Sequence, residues 1–287
     1  MTAFFLNAPW MSPRDGSRPL GVVIPTLNCA ATLPETLVSI AGVPEVSRVI
    51  VADSGSTDGT LEIAAAAGVE LIEQSPAGMY ASINAAISRL DTPWVTYING
   101  DDLLRSTGVR RLLSLETEAD ILYGPVDFLT ADGSFIHCWH SAAPTALHAV
   151  YRAGGSGMLQ QGTLFRRKIF DDLGGFDDRW KFVADADFWL RAAERNARFV
   201  RITNPPVGGF RMRAGQLSHV HEAAMRAEHA EMLRSHGIHA GGASFRWPVI
   251  RYRLGNARSY LVRYLRRRDL TGVAALHSSY DLALNKS

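Results

Sequence analysis

The sequence predicts an α/β fold in which a parallel sheet is covered by helices on both faces. Strand-length apolar runs alternate with helix-patterned segments at the spacing of βαβ units, and the runs are continuously apolar, as strands buried on both faces must be. Three of those runs also stop abruptly in polar clusters. In open α/β sheets the carboxyl ends of the strands are where ligands bind.

The elements follow in order. Met1 to Pro19, rich in Pro, Ser and Gly, reads as an irregular N-terminal arm. Leu20 to Ile24 is an apolar strand that runs into Pro25-Thr26-Leu27-Asn28. A helix from about Leu33 to Ala41 comes next, then a strand from Arg48 to Ala52 and the turn Asp53-Ser54-Gly55-Ser56-Thr57-Asp58-Gly59-Thr60. An Ala-rich helix and a strand from Val69 to Glu73 complete this part. Gly78 to Leu90 reads as a helix leading into Trp94-Val95-Thr96-Tyr97-Ile98, a β-branched and aromatic strand closed by Asn99-Gly100-Asp101-Asp102. Beyond it the pattern predicts a helix around Gly108 to Leu115, a strand at Ile121 to Tyr123 and a hairpin turning at Asp132-Gly133. Tyr151 to Gly157 reads as a mobile glycine-rich loop, Leu159 to Phe165 as strand-like, and Asp185 to Arg195 as a helix. No linker divides Leu20 from about Ser218, so the expected organisation is an arm at 1–19, one α/β domain at 20–240 and an extension at 241–287.

With 287 residues and 47% hydrophobic side chains, the chain has the composition of an ordinary soluble globular protein. Cys29 and Cys138 show neither metal-ligand nor redox spacing and read as buried thiols of a reducing cytosol. Met1 to Trp10 lacks the basic and apolar regions of a leader, and no long apolar stretch suggests a membrane span, so a cytoplasmic protein is expected. The net charge of +2 hides an asymmetry: residues 241–287 carry nine basic residues against two acidic ones, a net +7 that leaves −5 elsewhere. An acidic body with a basic tail argues against a nucleic-acid protein and for an anionic surface as the tail's partner. Ile250, Leu254, Ala257, Leu261, Tyr264 and Leu265 recur at helical spacing among the tail's arginines. Such a helix either lies in a lipid headgroup layer, peripheral on the inner face of the cell membrane, or packs its stripe on the domain and leaves its arginines in water.

Asp101 and Asp102 are adjacent carboxylates at a strand end, and they repel unless a cation or a hydroxyl-bearing ligand meets them. Oxygen-only ligands favour Mg²⁺ or Mn²⁺ carrying a phosphate. The plainer alternative is a turn that caps the helix beginning near Ser106. Asp53 is placed to accept a hydrogen bond from a base imide while Ser54-Gly55-Ser56 leaves room for a flat ring, or else it only opens the turn. Asp58 reads as a helix cap. Asp185, at the start of a helix, is either a carboxylate kept ionised by the helix end and able to act as a general base, or an N-cap. Neither a dinucleotide fingerprint nor a Gly-Lys-Ser/Thr phosphate loop is present in the sequence.

Taken in order, Pro25-Thr26-x-Asn28, DSGSTDGT from Asp53, GMYASIN from Gly78, INGDD from Ile98, QGTLFRR from Gln161, LGGFDDRW from Leu173, ADADFWLR from Ala184 and FRMRAGQLS from Phe210 resemble the bacterial family 2 glycosyltransferases over roughly residues 20–220. The resemblance implies a GT-A fold, a Rossmann-like mixed sheet flanked by helices, here with a basic helical tail. It implies that Asp53 contacts the nucleotide base, Asp101 the ribose and Asp102 a divalent metal on the diphosphate, with Asp185 as catalytic base and Asp187 supporting it. Many relatives carry an acid beside the tyrosine of the GMY segment and a His before the Gln of the QGTLFRR segment. Ala81 and Gln160 stand there in this chain, at positions near sugar and acceptor.

The expectation is therefore an inverting, metal-dependent transferase moving a sugar from a nucleotide-sugar donor, a UDP-sugar, to an acceptor hydroxyl in lipid-linked or surface polysaccharide synthesis. Pro25, Thr26, Asn28, Asp53 and Asp101 are the candidate donor contacts and Asp102 the candidate ligand for Mg²⁺ or Mn²⁺. Gln161, Arg166 and Arg211 are candidates for phosphate or an acidic acceptor, the arginines being equally suited to ordinary ion pairs, and His219 and His221 read as solvated or packed. Two rival classes are a nucleotide-sugar binder without turnover, which has no use for a base at Asp185, and a sugar nucleotidyltransferase, which would need a glycine-rich basic loop where Pro25-Thr26-Leu27-Asn28 stands.

Overall fold

A computed structural model describes residues 8–11, 18–73, 78–115, 118–153, 155, 157–213, 221–238 and 247–266. The first half winds as its apolar pattern requires. Strand β1 (Leu20–Thr26) is buried along its whole length. It pairs in parallel with β2 (Val46–Asp53) and β4 (Trp94–Tyr97), and β3 (Glu70–Glu73) extends the sheet beyond β2. Helices α1 (Leu33–Ala41), α2 (Thr60–Ala66) and α3 (Met79–Ser88) make the crossovers.

The remainder departs from a purely parallel sheet. After the two-residue β5 (Leu103–Leu104) and helix α4 (Ser106–Leu113), the chain forms β6 (Ile121–Tyr123), β7 (Val126–Leu129) and β8 (Phe135–Trp139). Strand β9 (Thr163–Arg166) inserts antiparallel between β4 and β6, and β10 (Phe199–Arg201) closes that edge, giving the order β10-β6-β9-β4-β1-β2-β3. A second sheet, β5-β11-β7-β8 with β11 at Gly208–Arg211, stands beside the cluster of strand ends. The hairpin expected at Asp132-Gly133 joins β7 to β8, with Gly133 at φ +85° as the turn demands.

Buried apolar clusters cover the two faces of the main sheet. One is built on Leu33, Leu37 and Ile40 of α1 with Ala64 of α2, the other on α3 and helix α7 (Ala184–Glu194). In the second, Phe165, Phe170, Phe176 and Phe188 meet at ring separations of 5.1–6.0 Å, which fixes α7 rigidly against β9.

Three expectations change. Part of the N-terminal arm is docked: Ala8 is buried and Trp10 Nε1 donates to Ala67 O at 3.2 Å. Tyr151 and Arg152 end helix α5 (Leu147–Arg152) instead of opening a loop, while residues 154 and 156 of the expected loop lie outside the described residues. The segment from Leu159 opens with a 3₁₀ turn, Gln160–Gly162, before β9 begins. Helix α6 (Arg167–Asp172) follows β9, and helix α8 (Glu222–Ser235) packs over the start of α7.

The tail forms two helices, α9 (Trp247–Gly255) and α10 (Ala257–Arg266). They break at Asn256, whose side chain accepts from His140 N at 2.8 Å and donates to His140 O at 2.9 Å, pinning the pair to the end of β8. The face turned to the domain carries Val249, Tyr252, Ser259 and Tyr260, the tyrosines edge-on to Trp139. Of the stripe noted in the sequence, Leu254, Leu261, Tyr264 and Leu265 are all more than half exposed, as is Trp247. Among the described residues no helix is long and apolar enough to cross a membrane.

Candidate active site

The carboxyl ends of β1, β2 and β4 open into a cavity of about 600 Å³. Its polar end is lined by Pro25, Thr26, Ser54, Asn99, Asp101 and Arg213, and its other end by Tyr80, Tyr97, Phe182, Asp185, Trp189 and Met225. Among the described lining residues Asp101 and Asp185 are the two carboxylates, so the cavity has one acid at each end.

Asp53 is fully buried behind Ser54. Its Oδ1 accepts from Gly55 N and Ser56 N at 2.9 and 2.7 Å, and its Oδ2 from Thr26 Oγ1 and Ser56 Oγ at 2.7 and 2.6 Å. Burial alone pushes the carboxyl's pKa up, but those hydrogen bonds together outweigh it and hold the group below the usual carboxylate range. Asp53 therefore organises its turn, and a base imide reaches it only by displacing one of the two hydroxyls. Asn28, at φ +53°, ties the neighbouring loop: its Oδ1 accepts from Thr57 N at 2.9 Å and its main-chain N–H donates to Ser56 Oγ at 2.8 Å. Asp58 accepts from Ala30 N and from Thr60, so it joins the two loops as well as preparing α2.

The adjacent acids separate. Asp101 lines the cavity and its Oδ2 accepts from Arg213 Nε at 2.8 Å. Asp102 is fully buried, away from the lining, with Oδ1 accepting from Arg211 N at 2.9 Å and Oδ2 from Gln161 Nε2 at 2.9 Å and Asn99 Nδ2 at 3.3 Å. Burial, followed by the charge of Asp101, pushes its pKa well above the usual range. Asp102, the residue expected to hold the metal, is thus occupied in this structure: its oxygens knit β11 and the Gln160–Gly162 turn to the end of β4. Gly208 makes that junction possible, since a Cβ there would fall 2.0 Å from Gln161 O.

The polar end of the cavity carries oxygens of the kind that suit a cation shared with a ligand. Asp101 supplies a carboxylate, and Asn99 Oδ1 is buried without a hydrogen-bond partner among the described residues. No cluster of three or more His, Cys, Asp or Glu side chains suited to a metal occurs among the described residues. A cation here would complete its shell with phosphate and water, the habit of Mg²⁺.

Neither arginine candidate is among the residues that line the cavity. Arg166 pairs with Trp94 at the opposite end of β4, stacks on that indole at 4.4 Å and donates to Ala119 O at 3.0 Å. Arg211 is 2% exposed and spends its guanidinium on Asp101 O, Ala131 O and Glu35. Gln161 lines the cavity while holding Asp102, and Gln160 beside it donates to Tyr97 O. His221 packs against Phe182 at 5.4 Å, and His219 lies outside the described residues.

Asp185 lies in the first turn of α7, but Val183 is the N-cap residue and makes no side-chain cap. The segment leading into the helix is held from another helix: Glu228 of α8 accepts from Lys181 N, Phe182 N and Val183 N at 3.0, 2.6 and 3.1 Å. Asp185 is the second residue of α7 and so stands inside the N-cap position. Its Oδ1 accepts from Ala186 N at 2.8 Å and from the Tyr80 hydroxyl at 3.3 Å. Burial raises its pKa to about 6, in place of the firmly ionised state expected at a helix end. Asp187, bonded to Arg191 Nε at 2.6 Å and His236 Nε2 at 3.0 Å, anchors the helix from its other side.

Arg213, Tyr80 and Glu228 were not singled out in the sequence. Arg213 sits within the quoted FRMRAGQLS segment and Tyr80 within the quoted GMYASIN segment. Glu228 carries no motif at all.

The chain belongs to the glycosyl transferase family 2, whose model matches residues 21–174, more than half of the 287. It is similar to a PGL/p-HBAD biosynthesis glycosyltransferase of Mycobacterium tuberculosis and Mycobacterium bovis, at 27% identity over 200 residues covering 66% of this chain and 75% of theirs. Among solved structures it resembles S. aureus TarS 1–349 in complex with UDP-GlcNAc, with a TM-score of 0.54 and 18% identity over 92% of this chain and 91% of that one. The mannosyltransferase PcManGT from Pyrobaculum calidifontis, in complex with GDP-Man and Mn²⁺, aligns with a TM-score of 0.55 and 18% identity over 99% and 86%. The chain is a glycosyltransferase enzyme of GT-A fold.

Proposed function

We propose that this glycosyltransferase inverts the configuration of the sugar it transfers, takes a UDP-sugar as donor and works with a divalent metal. The observation that carries the mechanism is Asp185: a carboxylate that lines the cavity, accepts a hydrogen bond from Tyr80 and has its pKa raised by burial to about 6. A general base works best with a pKa near the operating pH. Among the described residues both of its hydrogen bonds fall on Oδ1, which leaves Oδ2 for an acceptor hydroxyl. Asp185 takes the hydroxyl proton as the acceptor oxygen bonds to the anomeric carbon, the bond from that carbon to the phosphate oxygen breaks, and the nucleoside diphosphate departs. Displacement by a single attack inverts the anomeric centre.

At the other end Asp101 and Asn99 would hold Mg²⁺ or Mn²⁺, which when bound supplies positive charge to the leaving diphosphate. Arg213 adds a second cation there. Pro25, Thr26 and Ser54 form the wall for the nucleoside, with Asp53 turned to the base once a Thr26 or Ser56 hydroxyl gives way. The acceptor class is a lipid-linked or surface-polysaccharide precursor, reached by a protein held peripherally at a membrane surface through α9 and α10. The exposed Leu254, Leu261 and Leu265 beside exposed Arg251 and Arg258 support that placement.

The test is acceptor-dependent release of UDP in Mn²⁺ or Mg²⁺, compared with EDTA, and proton NMR of the product's anomeric centre. Retention of configuration would overturn the single-displacement mechanism, and undiminished turnover in EDTA would overturn the metal.

A further inference from the structure

Helix α8 places Met225, Glu228 and His229 on one face, at the spacing that aligns side chains one turn apart, and Met232 continues that face into the core. Met225 and His229 line the cavity beside Asp185. Between them, Glu228 reaches the three consecutive amides of Lys181, Phe182 and Val183, with Oε1 serving the last two and Oε2 the first. These amides run through the segment that leads into α7 and end at its N-cap residue, Val183. Phe182 O is in turn 3.4 Å from the Tyr80 hydroxyl, the group that donates to Asp185. A second grip lies just past the end of α8, where His236 bridges Asp187 Oδ1 at 3.0 Å and Glu194 Oε1 at 2.7 Å. The helix bearing the base is thus held at its entry and along its side by one neighbouring segment.

We infer that Glu228 is a positioning residue for the reaction: by gripping the 181–183 amides it fixes the entry of α7 and, through Phe182 and Tyr80, the placement of the Asp185 carboxylate. The inference rests on the transfer reading above. Glu228 lies beyond the stretch matched by the family model, as does Asp185 itself.

Three variants test it: Glu228→Ala, Glu228→Gln, and Glu231→Ala as a control on the exposed side of the same helix. Glu228→Ala is expected to lower kcat by about tenfold or more while the Kd for UDP stays within about twofold of wild type, because the nucleotide end is untouched. With water admitted to the base, the acid limb of its kcat–pH profile should move to lower pH. Hydrogen exchange of the 181–183 amides should quicken, and Glu231→Ala should change none of these. Glu228→Gln keeps the acceptor for Phe182 and Val183 and should restore most of kcat, which a loss of charge alone would not do. A folded Glu228→Ala protein with wild-type kcat and an unmoved acid limb overturns the inference. If that variant does not fold, Glu228→Gln decides: faster exchange at Lys181 with a limb shifted in the same direction supports the role, and an unmoved limb at full kcat rejects it. The exchange measurement needs no turnover, so wild-type protein with protected amides and no acceptor-dependent UDP release would sink the transfer reading and not the clamp.

Discussion

Arg213 donates to Asp101 through an Nε–Oδ2 hydrogen bond of 2.8 Å at the cavity, placing a cation against one of the two carboxylates that line it. In the proposed mechanism a diphosphate would meet Arg213 directly and Asp101 through a metal. The neighbouring Asp102 faces the other way, into Gln161 and the Arg211 amide.

Two single substitutions should therefore behave differently. Asp101→Asn is expected to abolish metal-dependent tightening of UDP binding with little change in melting temperature. Asp102→Asn presents an amide to donors that need an acceptor, which should cost about 1–3 kcal/mol of stability while metal dependence survives. Calorimetric titration of UDP with and without Mn²⁺, beside thermal melts, separates the roles; loss of metal dependence in Asp102→Asn alone would return the metal to Asp102.

Asp53→Ala removes the acceptor for four internal donors. We expect a loss of about 2–3 kcal/mol and a flattened preference among UDP, GDP and dTDP donors. If the variant is destabilised but keeps the wild-type preference, Asp53 is a turn residue only.

Much of this was legible from local pattern. The crossover units up to Trp94, the hairpin at Asp132-Gly133 and the helix carrying Asp185 all follow from apolar periodicity and turn chemistry. Local pattern could not decide what is set at long range. Adjacent Asp101 and Asp102 are equivalent until Gln161 and Arg211, 59 and 109 residues from Asp102, hold that one off the cavity lining. Periodicity likewise cannot tell which end of a strand meets the cavity, and the antiparallel β9 sets Arg166 beside Trp94, away from the lining. Glu228 was invisible because its function lies in reaching the amides of another helix, a relationship that no spacing records.

The tail's exposed stripe leads to a binding prediction. Leu254, Leu261 and Leu265 replaced together by Ser should abolish co-sedimentation with phosphatidylglycerol vesicles at low salt. Replacing exposed Arg251 and Arg258 by Gln should weaken it by about 1 kcal/mol for each arginine and reduce its sensitivity to salt. Neutral phosphatidylcholine vesicles should bind poorly. Equal sedimentation of wild type and the triple Ser variant would reject the membrane role, and a monomer–dimer shift in that variant would mean that a second copy covers the stripe.

The carboxyl of Asp185 links rate, pH and stability. Its folded pKa of about 6 lies above the ordinary carboxyl value of 3.8, with burial as the main cause. The folded state therefore binds the proton more tightly than the unfolded state, so this group's contribution is most favourable below about 4 and is lost as pH rises to about 6. The loss approaches about 3 kcal/mol, less whatever solvent recovers. Above pH 6 the ionised base is ready but strained by desolvation. Asp185→Asn, which keeps the shape without the charge, should therefore lower kcat by about 10²–10⁴ and yet be more stable than wild type at pH 7.5, by about 1–2 kcal/mol. At pH 4 that difference should vanish. In the wild type, kcat should fall about tenfold per pH unit below the pKa of the base. Melting curves at the two pH values, with a kcat–pH profile for the wild type, check all three. A helix-capping role predicts the opposite pattern, near-normal turnover with equal or reduced stability, because Asn caps about as well as Asp. An Asp185→Asn protein that turns over normally would remove Asp185 from the chemistry, and one that is inactive but destabilised at pH 7.5 would show the carboxylate to be paired, not desolvated.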